Sequence, residues 1–425
     1  LLRALVDLLN KVKNSQTSTY AGDRIYAALF ELNDPELIPA LEALGDRANL
    51  ILANGSTQQP GGDENAAARQ ELRGKVNLYD RMVGVGHLAH NKFLIVCDAD
   101  DQPQAVWTGS TNWQMTGLCT QANNGILLEN AQIAGWFKAQ WDLLKGAGND
   151  FPPNLINADD QKKSVTIGDR QVTAWFTPVH GLVDLSDAET MINAAQQGIL
   201  FLMFNPGPEG TLLNAIVNRS ISGNPTYDPN LYIHGVLNQD PSTTAHPIVG
   251  LFHRGQYTES NLDVVLPAAI DHRFAYWDEE IKKYQYAWAM VHSKVIVIDP
   301  FGPHPVVMTG SHNLGPKASS ANDDNLVIVQ GDPALAQAYA VNIMAIYNQY
   351  RWRYLMSTQS ATASAGQPAA AAAPAPVATT VPLGAGTAVA THAEIWSGLQ
   401  DNDTWQDDYF TGAKLRELNF WMGRG

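Results

Sequence analysis

The chain contains one pattern twice, as His90-Asn91-Lys92-Phe93-Leu94-Ile95-Val96 and as His292-Ser293-Lys294-Val295-Ile296-Val297-Ile298. Each copy leads, through a second apolar run, to a Gly-Ser-x-Asn sequence, Gly109-Ser110-Thr111-Asn112 and Gly310-Ser311-His312-Asn313. The two histidines are 202 residues apart (292 − 90) and the two asparagines are 201 apart (313 − 112). Packing alone does not explain polar residues repeated in matching strand contexts. The repeat therefore indicates two homologous halves that share one site.

A further polar residue follows each asparagine at the same distance, which extends the repeat to a third element. Asn123 lies eleven residues after Asn112, and Asp324 lies eleven residues after Asn313. Each then leads into another apolar run. Asp323, the neighbour of Asp324, is predicted to be a solvated charge in a turn.

The residue types at these positions suit a phosphate group. In a His-x-Lys strand both side chains share one face, because side chains alternate with a period of two. Lysine offers a compact positive charge and asparagine offers neutral donors to phosphate oxygens. Two such sets would hold a phosphodiester between two imidazoles, one to attack phosphorus and one to protonate the leaving oxygen. The lysines would supply the charge stabilisation that a metal supplies elsewhere, so neither a metal nor a cofactor is expected.

The paired motifs resemble those of the phospholipase D superfamily, HxK(x)4D and GSx(x)N. The second half matches throughout, with Asp299 at the aspartate position. In the first half Cys97 stands at that position and Asp98 follows one residue later. We favour a one-residue bulge near Cys97, which would align Asp98 with Asp299. The alternative is that Cys97 replaces the aspartate and the following loop is longer.

The resemblance implies an α/β fold of two homologous lobes, each a mostly mixed sheet flanked by helices, with pseudo-two-fold symmetry and the active site at their interface. It also implies a covalent phosphohistidine, with the first-half histidine as the nucleophile. We assign the site residues to three groups: catalytic His90, His292, Lys92, Lys294, Asn112, Asn313 and Asp324; substrate-binding Ser110, Ser311, Trp113 and Trp277; structural Asp98, Asp299 and Asn123.

Asp324 stands where the superfamily has an acid that orients a catalytic histidine. We expect it to orient His292, with Asn123 as its counterpart beside His90. A carboxylate favours the protonated imidazole. His292 would then be the general acid and His90 the neutral nucleophile.

The order of predicted elements also indicates an α/β protein, because apolar strands alternate with helices. We expect the first lobe at 1–150 and the second at 165–356. An Ala/Pro-rich linker follows at 357–392, and an aromatic tail at 393–425 is expected to dock. The aromatic segment around Trp277 could form a rim for acyl chains or stacked bases, or could belong to the core.

The net charge of −15 and the pI near 5.1 bear on the partner. Proteins that bind long polyanions usually carry basic surfaces, so nucleic acid is a less favoured substrate than phospholipid. We therefore expect a phospholipase D-type phosphodiesterase that hydrolyses or transfers, with transient membrane contact. A nuclease and a catalytically inactive phosphate- or lipid-binding protein are the alternatives. Neither a membrane-spanning run nor a signal peptide is visible. Because the chain opens at Leu1, upstream residues are expected, and compartment and oligomeric state stay open.

Overall fold

The computed structural model describes residues 1–14, 22–57, 59–248, 261–267, 290–364 and 402–424. The first lobe is built on a six-stranded sheet. Its strands are β1 (Gly22–Leu29), β2 (Ala48–Ala53), β3 (Asn77–Arg81), β4 (Lys92–Asp98), β5 (Pro103–Gly109) and β6 (Gly125–Leu128), in the order β3-β2-β1-β4-β5-β6. The first three are mutually parallel, and β4, β5 and β6 add in antiparallel fashion.

Helices cover both faces of this sheet. The helices of this lobe are α1 (Leu2–Lys13), α2 (Leu37–Glu42), α3 (Ala66–Leu72), α4 (Met115–Cys119) and α5 (Ala131–Ala147). One core cluster joins α1, α2 and α3 to one face, and another places Phe137 and Trp141 of α5 on the opposite face. Burial on both faces explains why β2 and β4 read as nearly continuous apolar runs.

The second lobe repeats this plan. Its strands are β7 (Lys163–Ile167), β8 (Arg170–Phe176), β9 (Gly198–Met203), β10 (Tyr232–Leu237), β11 (Leu262–Val265), β12 (Val295–Ile298), β13 (Val306–Gly310) and β14 (Asn325–Gln330). Their order is β11-β10-β9-β12-β13-β14-β8-β7, so the first six positions reproduce the first sheet and β8-β7 is an added hairpin. The predicted fold class of two homologous α/β lobes is confirmed.

The helices of the second lobe are α6 (Pro153–Asp159), α7 (Val183–Asn193), α8 (Leu212–Asn218), α9 (Pro316–Ala321), α10 (Pro333–Ser364) and α11 (Gly412–Trp421). The α7 and α8 helices cover one face, and α10 covers the other together with Phe420 of α11. The Phe420 ring stacks on Tyr232 and meets Phe301 edge-on, which fixes α11 to this lobe. Within the described ranges, no helix combines the length and apolar character that crossing a membrane requires.

The domain boundaries stay a prediction, but the structure differs from it at the start of the expected linker. The α10 helix runs to Ser364, so it enters the segment expected to be a linker from residue 357. Residues 357–364 contain neither Gly nor Pro, the two residue types that oppose a helix most strongly, so the composition there allows the helix to continue. Residues 365–401 lie outside the described part of the chain.

A register irregularity lies where the bulge is predicted. Between Val96 and Cys97 the pairing of β4 with β5 shifts by one residue, which leaves Gln104 of β5 as the extra residue. The pairing of β4 with β1 shifts at the same level, between Gly22 and Arg24. The bulge therefore exists, but the extra residues lie on the neighbouring strands and not within β4.

Asp98 and Asp299 consequently have different roles. Cys97 pairs with Arg24 of β1. In the second lobe the amide of Asp299 donates to the carbonyl of Gly198 at the start of β9. Cys97 therefore occupies in the first lobe the position that Asp299 occupies in the second. The Asp299 carboxylate accepts hydrogen bonds from three successive backbone amides, those of residues 196, 197 and 198, at 2.7–2.9 Å. The Asp98 carboxylate accepts hydrogen bonds from two backbone amides of its own turn, those of residues 100 and 102. The favoured alignment of Asp98 with Asp299 is therefore wrong, and the alternative describes the chain.

Candidate active site

Short backbone bridges join the two lobes at the repeated motifs. The amide of His90 donates to the carbonyl of Asp323 at 2.9 Å, and the amide of Asp323 donates to Leu88 at 2.8 Å. The same arrangement recurs with the lobes exchanged, where the amide of His292 donates to Ala122 at 2.9 Å. The segment ahead of each His-x-Lys strand therefore runs beside the segment ahead of β14 or β6 of the other lobe. This pairing brings both histidines to the interface.

Each histidine is oriented by a residue of the opposite lobe. His90 Nδ1 lies 2.7 Å from Asp324 Oδ1, and His292 Nδ1 lies 2.9 Å from Asn123 Oδ1. The prediction that Asp324 orients His292 is therefore wrong, and so is the assignment of Asn123 to His90. The cause is the bridge pattern, because the loop that carries Asp324 pairs with the chain leading to His90 and not with its own lobe's motif.

The motif serines fix these orienting residues in place. Ser311 Oγ donates to Asp324 Oδ1 at 2.6 Å, and Ser110 Oγ donates to Asn123 Oδ1 at 2.8 Å. Each hydroxyl oxygen also accepts the backbone amide of the following strand segment at 3.0 Å. Both serines are fully buried. They position the partners of the histidines, and their predicted contact with substrate stays a prediction.

The glycines of the motifs permit the close approach that this geometry needs. A Cβ atom on Gly109 would lie 2.3 Å from the carbonyl oxygen of Asn124, and one on Gly310 would lie 2.2 Å from that of Asn325. Both distances are far below van der Waals contact. Thr108, which precedes Gly109, reaches across the interface to Asn325 Oδ1 at 2.7 Å.

Two phenylalanines that the sequence reasoning missed enclose the imidazoles. The ring of Phe30, one residue beyond β1, lies edge-on to His90 at 4.6 Å, and Phe204, one residue beyond β9, meets His292 at the same distance. Lys92 Nζ lies 4.5 Å from the centre of Phe30. The sequence could have indicated them, because each phenylalanine directly follows the strand that pairs with the motif strand and so occupies the same position in both halves.

The lysines turn their ammonium groups towards the motif backbone. Lys92 Nζ donates to the carbonyl of His90 at 2.6 Å, and Lys294 Nζ donates to that of His292 at 2.8 Å. Burial lowers the pKa of Lys92 to about 7 and holds the pKa of Lys294 well below its usual range. Buried cations that repel each other in this way are stabilised by an anion placed between them.

The histidine pKa values are also depressed. Burial lowers the pKa of His90 to about 4, against the opposing effect of Asp324, whose own pKa the imidazole helps to lower to about 2. Burial, followed by the charges of the two lysines, places the pKa of His292 well below its usual range. Both imidazoles are therefore neutral near pH 7 in the empty site, and Asp324 is ionised.

The motif asparagines differ from each other. Asn112 is buried, and its Nδ2 donates to the carboxylate of Glu31, a residue that the sequence reasoning also missed. Asn313 is partly exposed. The Oδ1 atoms of both have no hydrogen-bond partner. Asn112 is joined to the lysines through Glu31, whose charge acts on both ammonium groups. That Asn313 joins the same set stays a prediction.

Behind Asn313 a second buried network supports the motif loop. His312 Nδ1 accepts the amide of Leu314 at 2.8 Å, and its Nε2 lies 3.0 Å from Asp184 and 3.1 Å from Ser319 Oγ. These side chains are fully buried, so this set of serine, histidine and aspartate holds the loop and has no access to a substrate.

Three other predictions concern residues around the site. Trp113 is fully buried in the core of the first lobe, so its predicted substrate contact is wrong. Asp323 is not a solvated charge, because it forms a buried ion pair with Arg81 across the interface. Trp277 lies outside the described residues. Among those that are described, no cluster of three or more His, Cys, Asp or Glu side chains is arranged to hold a metal ion.

Comparison with a protein-family model agrees with this picture. The model described as "Cardiolipin synthase, PLD-like domain" matches residues 15–144 and 261–346, more than half of the 425-residue chain, and includes both His-x-Lys motifs. A comparison with curated protein sequences finds no significant match.

Three solved structures resemble the chain at low sequence identity, and of these the polyphosphate kinase, with a TM-score above 0.5, bears on its fold. The polyphosphate kinase from Porphyromonas gingivalis has a TM-score of 0.51 at 12% identity over 80% of this chain, which spans 45% of that chain's length. The phosphatidylserine synthase from Haemophilus influenzae has a TM-score of 0.49 at 12% identity, covering 85% of this chain and 91% of its own. Nuc from Salmonella typhimurium, a phospholipase D family member, has 0.30 at 18% identity, covering 43% and 97%.

Proposed function

The chain belongs to the phospholipase D-like family, and from this premise we propose that it cleaves or transfers a phospholipid phosphodiester through a phosphohistidine at His90. The observation that carries the proposal is the pair of imidazoles, His90 and His292, each oriented by a residue of the opposite lobe and each followed two residues later by a buried lysine. One imidazole has a carboxylate partner and the other has an amide, which gives the two histidines different chemical properties.

His90 suits the nucleophile for a reason that differs from the one given by the sequence. Its Nδ1–H donates to ionised Asp324, which leaves Nε2 as the nitrogen that can attack phosphorus. When the N–P bond forms, positive charge develops on the imidazole, and the neighbouring carboxylate stabilises it. The P–O bond to the leaving group breaks at the same centre, and its electron pair goes to the leaving oxygen.

His292 suits the general acid because the substrate itself can charge it. In the empty site, burial and the lysine charges hold its pKa low. A bound phosphodiester carries one negative charge, which raises the pKa of an adjacent imidazole. Protonated His292 then donates to the leaving oxygen. In the second step it accepts the proton of the attacking water or alcohol, and the N–P bond breaks.

Lys92, Lys294, Asn112 and Asn313 are proposed to bind the non-bridging phosphate oxygens. The buried lysines supply charge in a site with little water, where electrostatic stabilisation of a developing anion is strongest. This scheme requires no metal and no cofactor.

Phospholipid is the proposed substrate class on two grounds. The family description names cardiolipin synthase, and the chain carries a net charge of −15, which disfavours a polyanionic nucleic acid. Whether water or a second alcohol accepts the phosphatidyl group depends on loops that the motifs do not constrain.

The test is release of choline or ethanolamine from phospholipid vesicles in the presence of EDTA. We expect release by the wild type and none by His90→Ala. With an activated phosphodiester, whose leaving group departs without a proton, phosphoprotein should accumulate in His292→Ala, which lacks the second-step base, and not in His90→Ala. The reverse labelling pattern would contradict the assigned roles. Cleavage of single-stranded DNA in place of lipid would identify a nuclease, and failure of every activated phosphodiester would identify a binding protein.

A further inference from the structure

Glu31 is a buried acid inside a site that otherwise gathers positive charge. It follows Phe30 directly and is 8% exposed. Its carboxylate accepts the hydrogen bond of Asn112 Nδ2, one of the amides proposed to bind phosphate. Its charge acts on the ammonium groups of both Lys92 and Lys294. Glu31 therefore interacts with the same amide donor and the same lysines that are proposed to bind the substrate phosphate.

The second lobe has no equivalent acid. Phe204 stands to His292 as Phe30 stands to His90, so Asn205 is the counterpart of Glu31. Asn205 is an exposed neutral amide. The negative charge is thus a property of one lobe only, and it lies outside the repeated pattern that defines the catalytic set.

We propose that Glu31 is a specificity-determining counter-ion, which is released from Asn112 when a phosphodiester monoanion binds and which excludes phosphomonoester dianions. The inference rests on the proposed function of the site. A substrate phosphate must take over the Asn112 donor and the lysine charges that Glu31 now uses. A doubly charged phosphate feels about twice the repulsion from Glu31 that a singly charged one feels, because Coulomb energy is proportional to charge. Attraction to the lysines doubles as well, so the preference for the diester is expected above pH 7, where Lys92 has lost most of its charge and Glu31 is ionised.

The groups around Glu31 favour both the charged and the neutral form of its carboxyl group. Lys92 from β4 and Lys294 from the segment before β12 face it on the inner side, with Asn112. Glu64 and Ser56, from the chain between β2 and α3, lie on the outer side. Burial and the nearby Glu64 carboxylate raise the pKa of Glu31 to about 7, against the effect of Lys92.

The experiment measures calorimetric binding of two small probes at pH 8 to the full chain. Diethyl phosphate carries one negative charge and ethyl phosphate carries two. Glu31→Gln removes the charge and keeps an oxygen that can accept from Asn112. We expect this variant to bind ethyl phosphate about tenfold more tightly and diethyl phosphate about threefold more tightly than wild type. Glu31→Asp should retain the preference of the wild type for the diester.

Glu64→Gln is the matched control, because it neutralises the neighbouring exposed carboxylate and should change the ratio of the two affinities less than twofold. Equal gains for both probes in Glu31→Gln, or no gain, would overturn the inference. If Glu31→Gln does not fold, the wild type still decides, because exclusion of dianions by Glu31 requires ethyl phosphate to bind more weakly than diethyl phosphate at pH 8. Binding of neither probe to wild type would instead overturn the proposed phosphate site, so the two failures are distinct.

Discussion

Asp324 of the second lobe holds His90 of the first lobe through a 2.7 Å contact between Oδ1 and Nδ1. The carboxylate is fully buried and also accepts the hydroxyl of Ser311. The imidazole of the proposed nucleophile is therefore oriented by a residue that is 234 positions away along the chain.

Replacing Asp324 by Asn tests this relationship. The variant keeps the shape of the side chain but loses the charge that stabilises the imidazole during attack. We expect the rate of phosphohistidine formation to fall by about 10²–10⁴-fold, with little change in KM. Rapid-quench measurement of a single turnover gives this rate directly. The matched variant Asn123→Asp changes the partner of His292 and should leave phosphohistidine formation less affected. An Asp324→Asn enzyme with the wild-type phosphorylation rate would rule out this role.

Activity should have a maximum in the mildly acidic range. Protonated His90 cannot attack, so kcat/KM should rise as the pH increases through about 4. Lys92 loses its charge near pH 7 and Glu31 becomes ionised near the same pH, and both changes weaken binding of an anion. We therefore expect kcat/KM to fall above about pH 7. The pH profile of kcat/KM for a soluble phosphodiester measures both limbs. A flat profile between pH 6 and 9 would contradict this explanation.

Gly109 and Gly310 should not tolerate a side chain. Alanine at either position would place its Cβ against a backbone carbonyl that a strand pairing holds in place. We expect each substitution to lower the free energy of unfolding by about 2–4 kcal/mol, the range of severe core strain. Urea unfolding followed by tryptophan fluorescence would measure the loss. Gly135→Ala in α5 is the control, because nothing lies within 4 Å of its added Cβ and alanine favours a helix. Equal stabilities of Gly109→Ala and Gly135→Ala would show that the close approach does not matter.

Asp159 should make the protein less stable at alkaline pH. This side chain at the end of α6 is buried without a hydrogen-bond partner for either oxygen, and burial raises its pKa to about 8 from the usual 3.8. Because the folded-state pKa is the higher one, stability is full below pH 3.8 and declines as the pH rises to about 8. Asp159→Asn should abolish this decline and gain about 1–3 kcal/mol at pH 9. Thermal unfolding of both proteins from pH 5 to 9 tests it, and parallel curves would contradict the buried-acid explanation.

The sequence was sufficient to predict the fold and the composition of the central site, because both depend on a repeat. The two copies of His-x-Lys and Gly-Ser-x-Asn have matching spacings, and the sheets that carry them have matching strand orders. The histidine of each copy lies just ahead of its strand, β4 or β12, so the matching spacings carried this prediction and strand alternation did not.

The partners of these residues depend on how the lobes meet, which no local pattern encodes. The exchange of Asp324 and Asn123 between lobes follows from backbone bridges such as that of Leu88 with Asn322. Glu31 was missed because it has no repeated counterpart. Trp113 was misassigned because it lies beside polar motif residues in the sequence while its ring points into the core.

The exchange of partners has a consequence for how a duplicated chain can change over time. Two identical halves would present two identical histidines, and neither would be better suited to either step. A carboxylate at residue 324 and an amide at residue 123 make them different. Each orienting residue lies in the opposite half of the chain from its histidine. A substitution at residue 324 therefore changes the properties of His90, and one at residue 123 changes those of His292. The difference between the two histidines therefore depends on residues from both halves.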